Sequence, residues 1–247
     1  MVINFSDWQT PPTTLELPPG HLHIWRVPQD VDEAALARYW PILAADEQAR
    51  ANRFHFARDK NRYVVARAVL RLLIGRYLSR PPEQISFTYS EYDKPSIPGQ
   101  RLQFNVSHSG GLALIAFCLD AEVGIDVEQK RPLIDADQIA ERFFSAAEVA
   151  VFKSLPQEQR VEAFFNCWTR KEAYIKAIGE GLSCPLDVFD VTLAPGEPAW
   201  LLRIRGSEAA AAEWSLFSLE PAEGFGAAVA IPGRNWQLSC WDWPSVN

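Results

Sequence analysis

The stretch Glu122-Val123-Gly124-Ile125-Asp126-Val127-Glu128 sets two carboxylates one residue apart inside an apolar run. In a β-strand, side chains at i and i+2 share a face. Asp126 and Glu128 therefore stand side by side, with Ile125 and Val127 on the opposite face. Like charges this close repel. Two readings follow: a strand running into solvent with two hydrated acids, or a pair held by a cation. Carboxylate oxygens suit a hard ion such as Mg²⁺.

Downstream, residues 161–178 form the most regular helical pattern in the chain. Val161, Phe164, Phe165, Trp168, Ile175 and Ile178 make its apolar stripe. Glu172 falls on or beside that stripe, and carboxylates are rarely buried without a partner. Lys176, one turn on, is the partner that an i,i+4 ion pair supplies. Between strand and helix, Ser145 and Glu148 have capping-box spacing, which reads Glu148 as structural.

The chain has 247 residues, 48% of them apolar and 22% charged, enough for a packed core. No apolar run approaches the roughly 20 residues that cross a bilayer. The start of the chain lacks the basic and apolar regions of a signal peptide. Four scattered cysteines without a C-x-x-C spacing suit a reducing interior, so the expected location is the cytoplasm. A net charge of −7 argues against a nucleic-acid partner. Residues 50–80 nevertheless carry eight arginines and one lysine against Asp59 alone, a net of +8. A basic segment on an acidic chain fits a small polyphosphate, and also fits a solvated arginine-rich helix face.

Taken in order, residues 1–20 read as an irregular arm and 21–27 as a strand. Helices are expected over 32–40, 44–54 and 61–78, then a short strand over 85–89. Residues 92–100 form a turn-rich loop carrying Lys94, and 102–107 with 112–119 form a hairpin. Its Ser107-His108-Ser109-Gly110-Gly111 tip suits a backbone that approaches a phosphate. Helices follow over 137–144 and 146–155, before the one over 161–178. After residue 186 the chain is β-rich, with strands over 188–193, 200–205, 214–219, 225–231 and 236–241.

The order of elements repeats at an offset near 101 residues. Ile24-Trp25 falls opposite Ile125-Asp126, residues 43–47 opposite 144–148, and Arg67 to Arg71 opposite Trp168 to Glu172. The expected fold is α+β, a pseudo-dimer of two similar subdomains over 1–120 and 121–247, with a ligand cleft between them. The first half brings basic groups and the second brings acids.

Three motifs in order, Phe-Asn-Val-Ser-His-Ser at 104–109, Val-Gly-Ile-Asp-Val-Glu at 123–128 and Trp-Thr-Arg-Lys-Glu-Ala-Tyr-Ile-Lys at 168–176, resemble the 4′-phosphopantetheinyl transferases of the monomeric type that activates surfactin synthetase. The resemblance covers residues 50–185. It implies a monomer that moves the phosphopantetheine arm of coenzyme A onto a serine of an apo-carrier protein of fatty acid, polyketide or nonribosomal peptide type, releasing adenosine 3′,5′-bisphosphate. By the same resemblance Asp126, Glu128 and Glu172 match Mg²⁺ ligands, and Lys176 a lysine near the pyrophosphate. Arg62, Lys94, Ser107 and His108 match residues that hold the phosphates and adenine, and Arg50 falls near those at the 3′-phosphate. Glu172, Glu148 or a metal-bound water would take the serine proton. Carrier binding is expected over residues 131–153, with Arg131, Arg142 and Lys153 beside Leu133, Phe143 and Phe144. The rival readings are another Mg²⁺-dependent nucleotide phosphotransferase and a non-enzymatic coenzyme A-binding protein.

Overall fold

The computed structural model describes residues 2–244. The first half of the chain runs β1 (Val2–Ile3), β2 (His21–Pro28), α1 (Glu33–Tyr39), α2 (Ala45–Ala51), α3 (Ala57–Leu78), β3 (Thr88–Tyr89), β4 (Pro95–Ser96), β5 (Leu102–Ser109) and β6 (Leu112–Leu119). The second runs β7 (Gly124–Gln129), α4 (Ala136–Phe143), α5 (Ala146–Ser154), α6 (Gln157–Ile178), β8 (Phe189–Val191), β9 (Leu201–Ile204), α7 (Glu208–Ala212), β10 (Trp214–Leu219), β11 (Phe225–Pro232) and β12 (Gln237–Asp242).

Two four-stranded sheets, β12-β2-β6-β5 and β1-β10-β11-β7, carry the fold. Alternation decides what each face meets. From β6, Leu114 and Ala116 join Ile125 and Val127 of β7 and Val229 of β11 in a core between the sheets. Ala113, Ile115 and Phe117 of the same strand face the other way, onto Val65, Val69 and Leu73 of α3. Ala228 and Ala230 of β11 pack with Ala173, Ile175 and Ala177 of α6. The result is α3, sheet, sheet and α6 in layers, with both faces of each central strand buried.

The two halves repeat in detail. Each opens with a strand that pairs antiparallel with the last strand of its own closing hairpin, β2 with β6 and β7 with β11. In each, the third residue of a short helix is a buried glutamate that accepts its capping-box amide: Glu47 from Ala44 and Glu148 from Ser145, both at 2.8 Å. Each glutamate then meets a buried cation of the long helix. Arg71 bonds Glu47 at 2.6 Å and the carbonyls of Pro82 and Ile85 at 2.9 Å. Lys171 lies 2.8 Å from Glu148 and 2.6 Å from the carbonyls of Leu186 and Phe189. Both cations thus tie the long helix to the segment after it, an arrangement worth keeping because a buried charge must be fully satisfied.

Residue 120 lies in the tight connection from β6 to β7, but a division there separates chain segments and not sheets. β1 pairs parallel with β10, and β12 pairs parallel with β2, so each terminal strand sits in the other half's sheet. Arg26 of β2 clamps Asp242 of β12 through bonds of 2.7 and 2.9 Å. The arm over 1–20, expected to be irregular, contributes β1 and a bridge from Gln9 to Trp241. The strand expected over 188–193 shrinks to β8, after a 3-10 turn at Leu186–Val188. α7 was hidden in an alanine run between strands.

Candidate active site

β5 and β7 are the facing edges of the two sheets, and they meet without a backbone ladder. Three β5 side chains accept from β7 amides instead: Asn105 Oδ1 from Ile125 at 3.0 Å, Ser107 Oγ from Val127 at 3.3 Å and Ser109 Oγ from Gln129 at 3.2 Å. This seam carries Asp126 and Glu128 on the face of β7 that meets α6.

Gly124 sets how closely that helix approaches. A Cβ on Gly124 would lie 2.1 Å from the Ala173 carbonyl oxygen and 2.3 Å from the Ala177 amide nitrogen. Only glycine lets the backbone of α6 lie on the strand, two residues before Asp126. Glu172 and Lys176 are thereby delivered to the acids. A cavity of about 300 Å³ is lined by Val106, Ser107, His108, Asp126, Glu128, Trp168, Glu172 and Lys176.

Inside it, Asp126 is 3% exposed. Its Oδ1 accepts from Lys176 Nζ at 2.6 Å and from Ser107 Oγ at 2.9 Å. Its Oδ2 is buried with no hydrogen-bond partner. Glu128 is half-buried and accepts from Ser109 Oγ at 2.8 Å. Lys176 turns its ammonium to Asp126 and Ser107 rather than back along the helix to Glu172. Glu172 is pushed up to about 7, foremost by burial, with Asp126 and Glu128 adding repulsion that Lys176 partly offsets. Burial also raises Glu128. His108, on the solvent side, is held below the ordinary histidine value by the protein around its ring and by the Lys176 charge.

Three acids line one cavity, one of them with an unpartnered buried oxygen, and carboxylate oxygens are the donor type that a hard divalent cation takes. Among the described residues no three His, Cys, Asp or Glu side chains stand close enough together to hold a metal ion as they are placed. Lys176 and Ser107 both occupy Oδ1 of Asp126, and the buried Oδ2 has no protein partner.

The cavity continues toward α3. Val106 and His108 also line a neighbouring space of about 210 Å³ with Arg50, Tyr63, Arg67 and Tyr89. Arg50, Tyr63 and Tyr89 in turn line one of about 530 Å³ with Arg53 and Phe54. Arg50 thus lines both of these adjoining spaces, its guanidinium 5.7 Å from the Tyr63 ring centre. The farther space is mixed in charge, with Asp46, Glu47 and Asp93 beside Arg50 and Arg53.

Other expected residues lie elsewhere. Arg62 forms a two-bond pair with Asp30, both bonds 2.7 Å, beside the hairpin tip. A Cβ on Gly111 would come 2.5 Å from Asp30 and 2.9 Å from Arg62, so the tip glycine makes room for protein and not for a ligand. His108 belongs to β5, and the turn is Gly110-Gly111, both at positive φ. Lys94 points away from the cavities, donating to Glu122 at 2.6 Å and to the Ala177 carbonyl at 3.0 Å at the end of α6. Glu148 is in the core with both oxygens engaged, by Ser145, Lys171 and the Val191 amide at 2.8 Å. Its raised proton affinity comes from burial. Ser109, Gly124 and Trp168 went unassigned in the sequence, although the i, i+2 spacing of the two serines matches that of the two acids.

Residues 122–231 match the model of the 4′-phosphopantetheinyl transferase superfamily, and residues 30–119 match that of a 4′-phosphopantetheinyl transferase N-terminal domain. The chain is 41% identical over 239 residues to the 4′-phosphopantetheinyl transferase HetI of Nostoc sp., covering 95% of this chain and 97% of that protein. The chain belongs to the 4′-phosphopantetheinyl transferase superfamily. Two Bacillus proteins are also similar. Identity to the transferase Sfp of Bacillus subtilis is 34% over 158 residues, 63% of this chain and 69% of that one. With psf-1 of Bacillus pumilus it is 38% over 185 residues, 74% and 76% of the two chains. The matches to the two family models meet at the start of the Glu122 to Glu128 stretch.

Proposed function

We propose that the cavity between β5, β7 and α6 is where the phosphopantetheine arm of coenzyme A passes to a carrier-protein serine. The observation that carries this reading is the buried, unpartnered Asp126 oxygen beside Glu128 and Glu172, in a cavity that adjoins, through Val106 and His108, spaces lined by Arg50 and Arg53. Asp126, Glu128 and Glu172 would hold Mg²⁺. When bound, the ion supplies charge neutralisation on the pyrophosphate oxygens.

The chain's own groups do the rest. Arg50 and Arg53 offer positive charge in the farther of these spaces, where the 3′-phosphate of coenzyme A would be received. Lys176 adds fixed charge beside Asp126, and His108 stands at the joint between cavities as a donor to a phosphate oxygen. The serine oxygen bonds to the β-phosphorus as the bond from that phosphorus to the bridging oxygen breaks, and adenosine 3′,5′-bisphosphate leaves. Glu172, which faces the cavity beside Asp126 and Glu128, is the carboxylate placed to take the serine proton. Glu148 is withdrawn from that role because its oxygens are engaged in the core.

Carrier docking falls on the face around Arg131, Ile134 and Arg142. Ile134 is fully exposed, and the Arg142 guanidinium lies 5.2 Å from the Phe143 ring centre. Phe144 is core, and Lys153 is engaged by Glu141. Four free, buried thiols are in keeping with a reducing compartment such as the cytoplasm. The test is to incubate the protein with coenzyme A, Mg²⁺ and apo-carrier protein and weigh the carrier. A gain of one phosphopantetheine on serine supports the reading; cleavage of coenzyme A with an unmodified carrier contradicts it.

A further inference from the structure

The β5–β7 seam has three rungs of one kind, but two of them do something more. Ser107 Oγ accepts the Val127 amide and donates to Asp126 Oδ1 at 2.9 Å. Ser109 Oγ accepts the Gln129 amide and donates to Glu128 Oε2 at 2.8 Å. Each serine thus grips the β7 amide just after an acid, and one oxygen of that acid. The third rung, Asn105 to Ile125, follows Gly124 and has no acid to hold.

The consequence is geometric. A carboxylate has two oxygens, and a donor fixed on one determines where the other points. Asp126 has Ser107 and Lys176 on Oδ1, and its Oδ2 is the buried oxygen without a partner. Glu128 has Ser109 on Oε2, which leaves Oε1. Hydroxyls fastened to the opposite strand lose little freedom in doing this, because their second bond already fixes them.

We infer that Ser107 and Ser109 are positioning residues, each holding one oxygen of its neighbouring acid so that the other faces the cavity as a cation ligand. This rests on the reading of Asp126, Glu128 and Glu172 as the cation site. The seam between the sheets and the ligand set are then one device: the first half orients the acids of the second. A shift of β5 along β7 changes cation affinity as well as stability.

Ser109 gives the clean test, since Ser107 also touches Lys176. Binding of Mn²⁺ alone to the intact protein, read as loss of the free-ion electron paramagnetic resonance signal, is compared across variants alongside thermal melting. Ser109→Ala is expected to weaken Mn²⁺ binding roughly tenfold, as loss of a group that orients a metal ligand does, while Ser109→Thr keeps the hydroxyl and recovers most of it. Asn105→Ala loses the same kind of seam bond and is expected to lower the melting temperature without moving Mn²⁺ affinity. On a Glu128→Gln background, Ser109→Ala adds nothing further. Parent-like Mn²⁺ affinity in Ser109→Ala, with Glu128→Gln impaired, overturns the positioning role and leaves the cation site standing. Parent-like affinity in both Glu128→Gln and Asp126→Asn overturns the cation site, and the positioning role with it.

Discussion

Glu148 and Glu172 are both raised acids of the second half, yet they do different work. Glu148 is 2% exposed and bonded to Lys171, which is itself fully buried. Glu148→Gln leaves that ammonium without its counter-charge and is expected to cost about 3–5 kcal/mol of stability. The loading rate per folded molecule is expected to stay close to that of the parent, so chemical denaturation and a rate normalised to folded protein check the two halves of the prediction. His23 offers a pH test at the same scale. It is 4% exposed, bonds the Tyr77 hydroxyl at 2.9 Å, and is lowered to about 4 by burial and by His21. The folded state therefore resists its protonation, and the unfolded chain binds the proton first. Stability attributable to a neutral His23 is complete above pH ~6.5 and is lost as pH falls toward ~4, up to about 3 kcal/mol. Melting followed between these values is expected to decline with acid less steeply in His23→Phe. The acids of the cavity were legible because carboxylates inside apolar patterns break the expected alternation. The directions taken by Lys94 and Arg62 were not, since a long side chain's target depends on which distant backbone arrives beside it.

At the scale of elements, the contact of β7 with α6 decides whether the cavity exists. Gly124→Ala places a methyl into the helix backbone, which cannot rotate aside as a side chain can. Overpacking of this kind costs about 1–3 kcal/mol. The larger effect is expected in activity: with α6 displaced, Glu172 and Lys176 leave the acids, and loading falls by about 100-fold or more. A melting temperature lower by several degrees, with the protein still folded at the assay temperature, together with that loss is the expected signature, and unchanged loading would contradict the account of Gly124. The sequence made the long helices and the β5–β6 hairpin plain, since α3 and α6 carry apolar residues at helical spacing and each ends at a residue of positive φ, Ser79 and Gly179. It did not reveal the seam, because three polar side chains at i, i+2 and i+4 read as a half-exposed strand until β7 lies beside them. The tip serine was read as hairpin punctuation for the same reason.

At the scale of the whole molecule, duplication explains the division of labour. The offset of about 101 residues visible in the sequence corresponds to two helix-on-sheet units with the same capping glutamate, buried cation and closing hairpin. Both copies keep the buried glutamate–cation pair, Glu47 with Arg71 and Glu148 with Lys171, and only the second adds an acid, Glu172, beside its cation that faces the cavity. The exchange of β1 and β12 was beyond reach of local patterns, since each strand's partner lies more than 200 residues away. The carrier is expected to dock on the second half alone. Arg142→Glu is therefore expected to raise KM for carrier protein several-fold while KM for coenzyme A stays put, because Arg142 lies outside the run of cavities, whereas Arg131 is near enough to Glu128 to act on its charge. Equal changes in both constants would contradict that docking face. The central claim is that the acids between the two halves drive the transfer. The measurement that tests it most directly is the rate at which Asp126→Asn loads an apo-carrier protein at saturating coenzyme A and Mg²⁺, read by intact-protein mass. The account predicts folded protein and a rate lower by about 100- to 1,000-fold; loading near the parent rate would contradict it.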